Sequence, residues 1–136
     1  MASGKPSKEL QALLAECDPA VAKLALRLRS LVVGESSTAT EIVFDAGYAI
    51  SIMFSFTDRW QDAFCHIAVY SRHVNLAFNQ GAKLPDPDHR LKGSGKQLRH
   101  IQVRTEEHLQ NKDLLDFLRL AIEHSRATLE SKPPKN

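Results

Sequence analysis

Residues Ala63 to Phe78 read AFCHIAVYSRHVNLAF. Two runs rich in β-branched and aromatic residues, Ala63–Tyr70 and His73–Phe78, are separated only by Ser71 and Arg72, which is the signature of a β-hairpin. Side chains alternate between the faces of a strand, and directly opposed residues share a face. A tight connection therefore sets Val69 against Val74, Ile67 against Leu76 and Cys65 against Phe78. That face is apolar throughout and needs a covering layer. The other face carries Phe64, His66, Tyr70, His73, Asn75 and Asn79. Ser-Arg is not a favoured two-residue turn; a four-residue loop keeps this parity, and a three-residue loop breaks it.

The covering layer is legible on both sides of the hairpin. Ser7 precedes a short helix bearing Leu10, Leu13 and Leu14, and Asp18-Pro19 supplies an N-cap followed by proline at the first helical position. Val21, Leu24, Ala25, Leu28, Leu31 and Val32 then form one apolar stripe, ending near Gly34. Asn111 caps a last helix whose Leu114, Leu115, Phe117, Leu118, Ala121 and Ile122 form a broad apolar face. Glu41–Asp45, Tyr48–Phe56 and Leu98–Val103 read as further strands. The order ααβββββα predicts an α+β domain: two N-terminal helices, a mainly antiparallel sheet of about five strands, and a C-terminal helix packed on it.

A chain of 136 residues fits one domain, spanning residues 6–131 between loose tails at 1–5 and 132–136. No run approaches the about 18 apolar residues of a membrane span. Cys17 and Cys65 show no CxxC spacing, so reduced thiols in the cytoplasm are expected. The overall charge is only +2, but it is unevenly spread. Arg72 to Arg104 holds seven basic residues against two acidic ones, Asp86 and Asp88, while the rest of the chain has 11 basic against 14 acidic. Such asymmetry points to an anionic partner.

Within that segment, Lys92-Gly93-Ser94-Gly95-Lys96 can turn its backbone N–H groups towards an anion, with Lys96 and Arg99 neutralising it. The spacing is not that of a P-loop, and a strand follows instead of a helix. Glycines beside a strand also serve simply as turns or bulges. Pro85-Asp86-Pro87-Asp88 reads as a rigid turn, since proline restricts φ and aspartate bonds the backbone that follows it. The six histidines form no HxH, HxxxH or HExxH pattern, so no metal site is assigned. No nucleophile can be paired with a base by spacing, and Cys65 alternates with core positions. Tyr48, Trp60 and Tyr70 are not interleaved with Lys/Arg, so nucleic acid is not the expected partner.

Four motifs recur together: Phe-x-x-Gly-Ala at Phe78–Ala82, Leu-x-Asp at Leu84–Asp86, Leu-x-Gly-x-Gly-Lys at Leu91–Lys96, and Arg-His-Ile at Arg99–Ile101. Their combination resembles the YdhG-like domain-of-unknown-function family, and with the flanking helices the resemblance covers nearly the whole chain. It implies a compact α+β domain. One branch of that family is described as frataxin-like, with an intracellular iron-chaperone role, and carries a Gly-x-Pro-x-aromatic signature before the second strand. Here Ala46-Gly47-Tyr48-Ala49-Ile50 has no proline. The acidic ridge of frataxins corresponds to Glu9, Glu16, Asp18, Glu41 and Asp45, interspersed with Lys5, Lys8 and Lys23.

The expected function is non-catalytic binding, without a cofactor, of an anionic small molecule or acidic protein surface through Lys92, Gly93, Ser94, Gly95, Lys96 and Arg99. The alternatives are frataxin-like metal handling and an enzyme using His66, Tyr70 and His73, with Asn75, on the polar sheet face. That face could equally serve a homodimer.

Overall fold

A computed structural model describes residues 4–131. Helix α1 spans Lys8–Ala15 and α2 spans Pro19–Glu35. Ser7 Oγ accepts the Leu10 N–H at 3.1 Å, and Asp18 Oδ1 accepts those of Ala20 and Val21 at 2.8 and 3.3 Å. These caps satisfy N–H groups that the first helical turn leaves without partners. The strands are β1 (Thr40–Asp45), β2 (Ile50–Ser55), β3 (Ala63–Val69), β4 (Val74–Phe78) and β5 (Arg99–Val103), and α3 closes the chain at Lys112–Ser131. Asn111 Oδ1 accepts the Asp113 N–H at 3.0 Å, capping α3 as its position predicts.

The five strands form an antiparallel meander in the order β1-β2-β3-β4-β5. The β3–β4 register sets Cys65 against Phe78, Ile67 against Leu76 and Val69 against Val74, as the alternation requires. The connection closes with the Tyr70 N–H donating to the His73 carbonyl at 2.9 Å. Leu28 of α2 and Leu118 of α3 share one apolar core with Ile52, Phe54, Ile67 and Leu76, and all are fully buried. Burial of each such side chain stabilises the fold by about 1.5–3 kcal/mol.

Two expectations from the strand pattern need correction. Phe64 lies in the core, not on the polar face. Phe54 opposes Cys65 and Ser55 opposes Ala63, so Phe64 is the extra residue of a β-bulge, which re-aims a side chain locally. Its ring stacks on Phe56 with centroids 4.7 Å apart, and the Arg126 guanidinium of α3 lies 4.7 Å over Phe56. Strand β2 begins at Ile50 and not at Tyr48. Ala46 and Ala49 close a turn by a 2.9 Å backbone bond, which leaves Tyr48 78% exposed.

Within the amino-terminal stretch, the carbonyls of Gly4 and Lys5 accept from Arg29 at 3.4 and 3.2 Å. Residues 1–3 and the carboxy-terminal tail at 132–136 lie outside the described residues.

Between β4 and β5 the chain packs against the core and against α3. Leu84 and Leu91 enter the core, and the Asp86 carboxylate accepts the N–H groups of Arg90 and Leu91 at 2.8 and 3.0 Å. Arg90 in turn donates to Asp113 of α3 at 2.7 Å. Burial pushes the Asp86 carboxyl up, but the bonds from Leu91 and Arg90 outweigh it, with help from the charges of His89 and Arg90, and hold it below 3.8. We expect Asp86→Ala to cost about 1–2 kcal/mol. A carboxylate with a depressed folded pKa stabilises above the unfolded value and loses that effect as pH falls through the folded one. Urea midpoints of wild type and variant should therefore differ at pH 7 and converge below pH 3.8.

Candidate anion-binding surface

All three helices contribute core residues on one side of the sheet, and the register defines what the other side presents. One cross-strand row runs Met53, His66, Ala77, His100, and the next runs Ser51, Ala68, Asn75, Gln102. Ala77 thus has His66 and His100 beside it on neighbouring strands, with Asn75 and Asn79 two residues away along its own chain. Ala77 is itself buried, and the groups around it on this face are two imidazoles and two carboxamides.

Among these groups His66 Nδ1 lies 3.2 Å from Asn79 Oδ1. With that oxygen facing the ring, Nδ1 is the donor and Nε2 of the neutral imidazole is an acceptor. Burial lowers the His66 pKa, opposed by the bond to Asn79, so the ring is neutral at pH 7. Asn75 Oδ1 is buried without a hydrogen-bond partner. Asn75 opposes Gln102, whose Oε1 accepts from Arg104 Nε at 3.0 Å.

The charges acting on this face are positive. His100 is lowered by burial and then by Lys92, while His73 is lowered by burial and then by Arg104 and His100. Lys92 is held beside His100 by a reciprocal pair of backbone bonds, each 2.9 Å. Tyr70 stacks on His73 with centroids 4.8 Å apart, and Tyr48 follows at 6.4 Å, forming an aromatic rim at the hairpin end.

The glycine-rich loop thereby joins the sheet face, but its residues divide in role. Arg99 Nη1 donates to the carbonyls of Gly95 and Leu98 at 2.6 and 2.7 Å, so this nitrogen braces the loop. Gly93 has φ of 122°, a conformation side chains rarely adopt, and a Cβ there would sit 3.1 Å from the Leu98 carbonyl oxygen. Ser94, Gly95 and Lys96 are exposed at the tip. Lys92 is the loop residue that adjoins His100. Of the loop candidates, the structure brings Lys92 to the sheet face that carries His66 and Asn75, while Ser94, Gly95 and Lys96 stay at the exposed tip.

His100, Gln102, Asn79 and Ala77 complete the surface, and sequence reasoning overlooked them as site residues. Their alternation in β4 and β5 was readable, whereas the pairing of β5 with β4 was not.

Three of the acidic residues expected from the resemblance to form a metal-holding ridge make structural bonds instead. Asp18 caps α2, Asp45 accepts the Gly47 N–H at 2.8 Å, and Glu41 pairs with Arg29. Among the described residues no group of three or more His, Cys, Asp or Glu could hold a metal ion. Cys65 is buried, and burial pushes its thiol up, which makes it inert as a nucleophile. No described helix is long and apolar enough to cross a membrane.

The fold and surface define an α+β protein with a five-stranded meander, helices on one face and a basic, histidine-bearing opposite face. Compared with known proteins, the chain matches no protein-family model, no curated protein and no solved structure.

Proposed function

We propose that this protein binds an oxyanion, a carboxylate or phosphate that is free or displayed on an acidic partner, among the groups around Ala77 on the sheet face opposite the helix core. The observation that carries this reading is the placement of Lys92 beside His100 by paired backbone bonds; burial lowers the His100 and His73 imidazoles first, and the charges of Lys92 on one and of Arg104 and His100 on the other lower them further. An anion placed among them is attracted to every member and relieves their mutual repulsion. Asn75 can turn its carboxamide to donate, and the lysine supplies a charge-assisted bond. This face is read as a binding surface without catalysis, and the cleft of the molecule lies on the helix side. Membership of the YdhG-like family rests on the four motifs between Phe78 and Ile101 and belongs to the same proposal. So does a cytoplasmic setting, for which the free thiols Cys17 and Cys65 are the support.

The test uses sulfate, whose charge is constant across the relevant pH range. Lowered histidine pKa values mean that the free protein takes up protons below 6.5, and a bound anion raises those values. Affinity should therefore increase as pH falls from 7.5 to 5.5, with the His73 and His100 imidazole NMR signals titrating at higher pH when sulfate is bound. Lys92→Ala should weaken binding about tenfold, the loss of one charge-assisted bond. An affinity indifferent to pH and to both Lys92→Ala and Arg104→Ala would refute the site.

A further inference from the structure

On the helix side, a cleft of about 190 Å³ opens between the second half of α3 and the ends of β3 and β4. Phe64, Phe78, Leu84 and Ala121 give it an apolar floor; Gln80, Ser125 and Thr128 belong to its polar wall. We propose that this cleft is a second binding site, taking a neutral single-ring aromatic molecule that carries a hydrogen-bond donor.

Three observations define that ligand. A cavity of about 150 Å³ lined by apolar side chains admits benzene, so the volume here suits one ring with a small substituent. Phe64 already stacks on Phe56 at 4.7 Å, and Phe78 lies 6.3 Å from Phe117; a flat ring meets aromatic faces and edges within this floor. Gln80 Oε1 is buried with no hydrogen-bond partner, and buried acceptors are normally satisfied. Once the Gln80 carboxamide turns that oxygen into the cleft it lines, an O–H or N–H on the ring would satisfy it. The lining also includes both Asp62 and Lys83, so neither sign of net charge is selected.

The bulge at Phe64 gives the cleft its shape. Without the extra residue, strand alternation would carry the Phe64 ring to the opposite face and remove one side of the floor.

Phenol and toluene, nearly equal in shape and differing in one donor, are the probes, titrated into the full-length protein by amide NMR. Saturable shifts at Phe64, Gln80, Leu84 and Ala121, with phenol bound about tenfold more tightly than toluene, are expected. Gln80→Leu should equalise the two affinities while toluene binding persists. Equal affinities in the wild type would overturn the proposal without recourse to any variant, as would an absence of saturable shifts in the cleft. Phenol shifts confined to the opposite sheet face would also overturn it, and sulfate binding there tests the first site independently.

Discussion

Glu41→Ala is expected to lower the unfolding free energy by about 3–5 kcal/mol, the usual cost of removing one partner from a buried ion pair. Arg29 is 1% exposed in the middle of α2. Its Nε and Nη2 donate to the two oxygens of Glu41 on β1 at 2.6 and 2.9 Å, a bidentate arrangement that fixes direction as well as distance. Deleting the carboxylate leaves a guanidinium in the interior without its charged partner, though the carbonyls of Gly4 and Lys5 still accept from it. A domain with total stability of about 5–15 kcal/mol would then sit close to its unfolding threshold. The double replacement Arg29→Met with Glu41→Leu removes both charges at similar volume and should recover most of the loss. Urea unfolding of the two proteins provides the measurement. A cost below about 1 kcal/mol for Glu41→Ala would place the pair among the weak surface bridges.

Gly81→Ala is the second large effect, expected to cost about 2–3 kcal/mol by overpacking. A Cβ at Gly81 would lie 2.5 Å from Arg99 Cβ and 2.9 Å from the Arg99 backbone nitrogen. The nitrogen cannot swing aside as a side-chain end can, because Arg99 opens β5 and pairs with Phe78. Relief requires the crossing segment to separate from the strand, so displacement should reach the adjacent His100 and weaken sulfate binding as well. Gly95→Ala is the control: nothing lies within 4 Å of a Cβ there, and a change within about 0.5 kcal/mol is expected. Unfolding midpoints together with the His100 NMR signal distinguish the two variants. Equal midpoints would show that the contact between Gly81 and Arg99 yields at little cost.

These two positions mark where one-dimensional reading stops. Arg29 sits in LALRLRS, where a charged residue in an amphipathic helix reads as solvated, and its partner lies 12 residues away on a strand. Gly81 looks like turn punctuation, and its real constraint is a neighbour that arrives 18 residues later. By contrast, Ser7, Asp18 and Asn111 were legible as caps because each acts on N–H groups two or three residues onward. Asp86 was legible as a turn residue for the same reason, its bonds reaching only to Arg90 and Leu91.

The candidate site divides along the same line. The excess of positive charge between Arg72 and Arg104 is visible in composition, and the polar face of β3 and β4 follows from alternation. Alternation also misplaced Phe64, because a bulge changes parity at one residue without altering the apolar pattern around it. The loop was read as an anion nest with Lys96 and Arg99 neutralising the charge, whereas Arg99 spends a guanidinium nitrogen on the loop's own carbonyls.

By itself, the sequence determined the α+β class, the helix caps, the β3–β4 register and the basic character of one segment. Each depends on the spacing of residues close in the chain. Tertiary structure alone decided that β5 lies beside β4, that Lys92 and His100 adjoin the polar sheet face, and that Phe64 and Gln80 frame a cleft under α3. Those relations arise from burial and pairing between distant segments, and no local spacing encodes which surfaces meet.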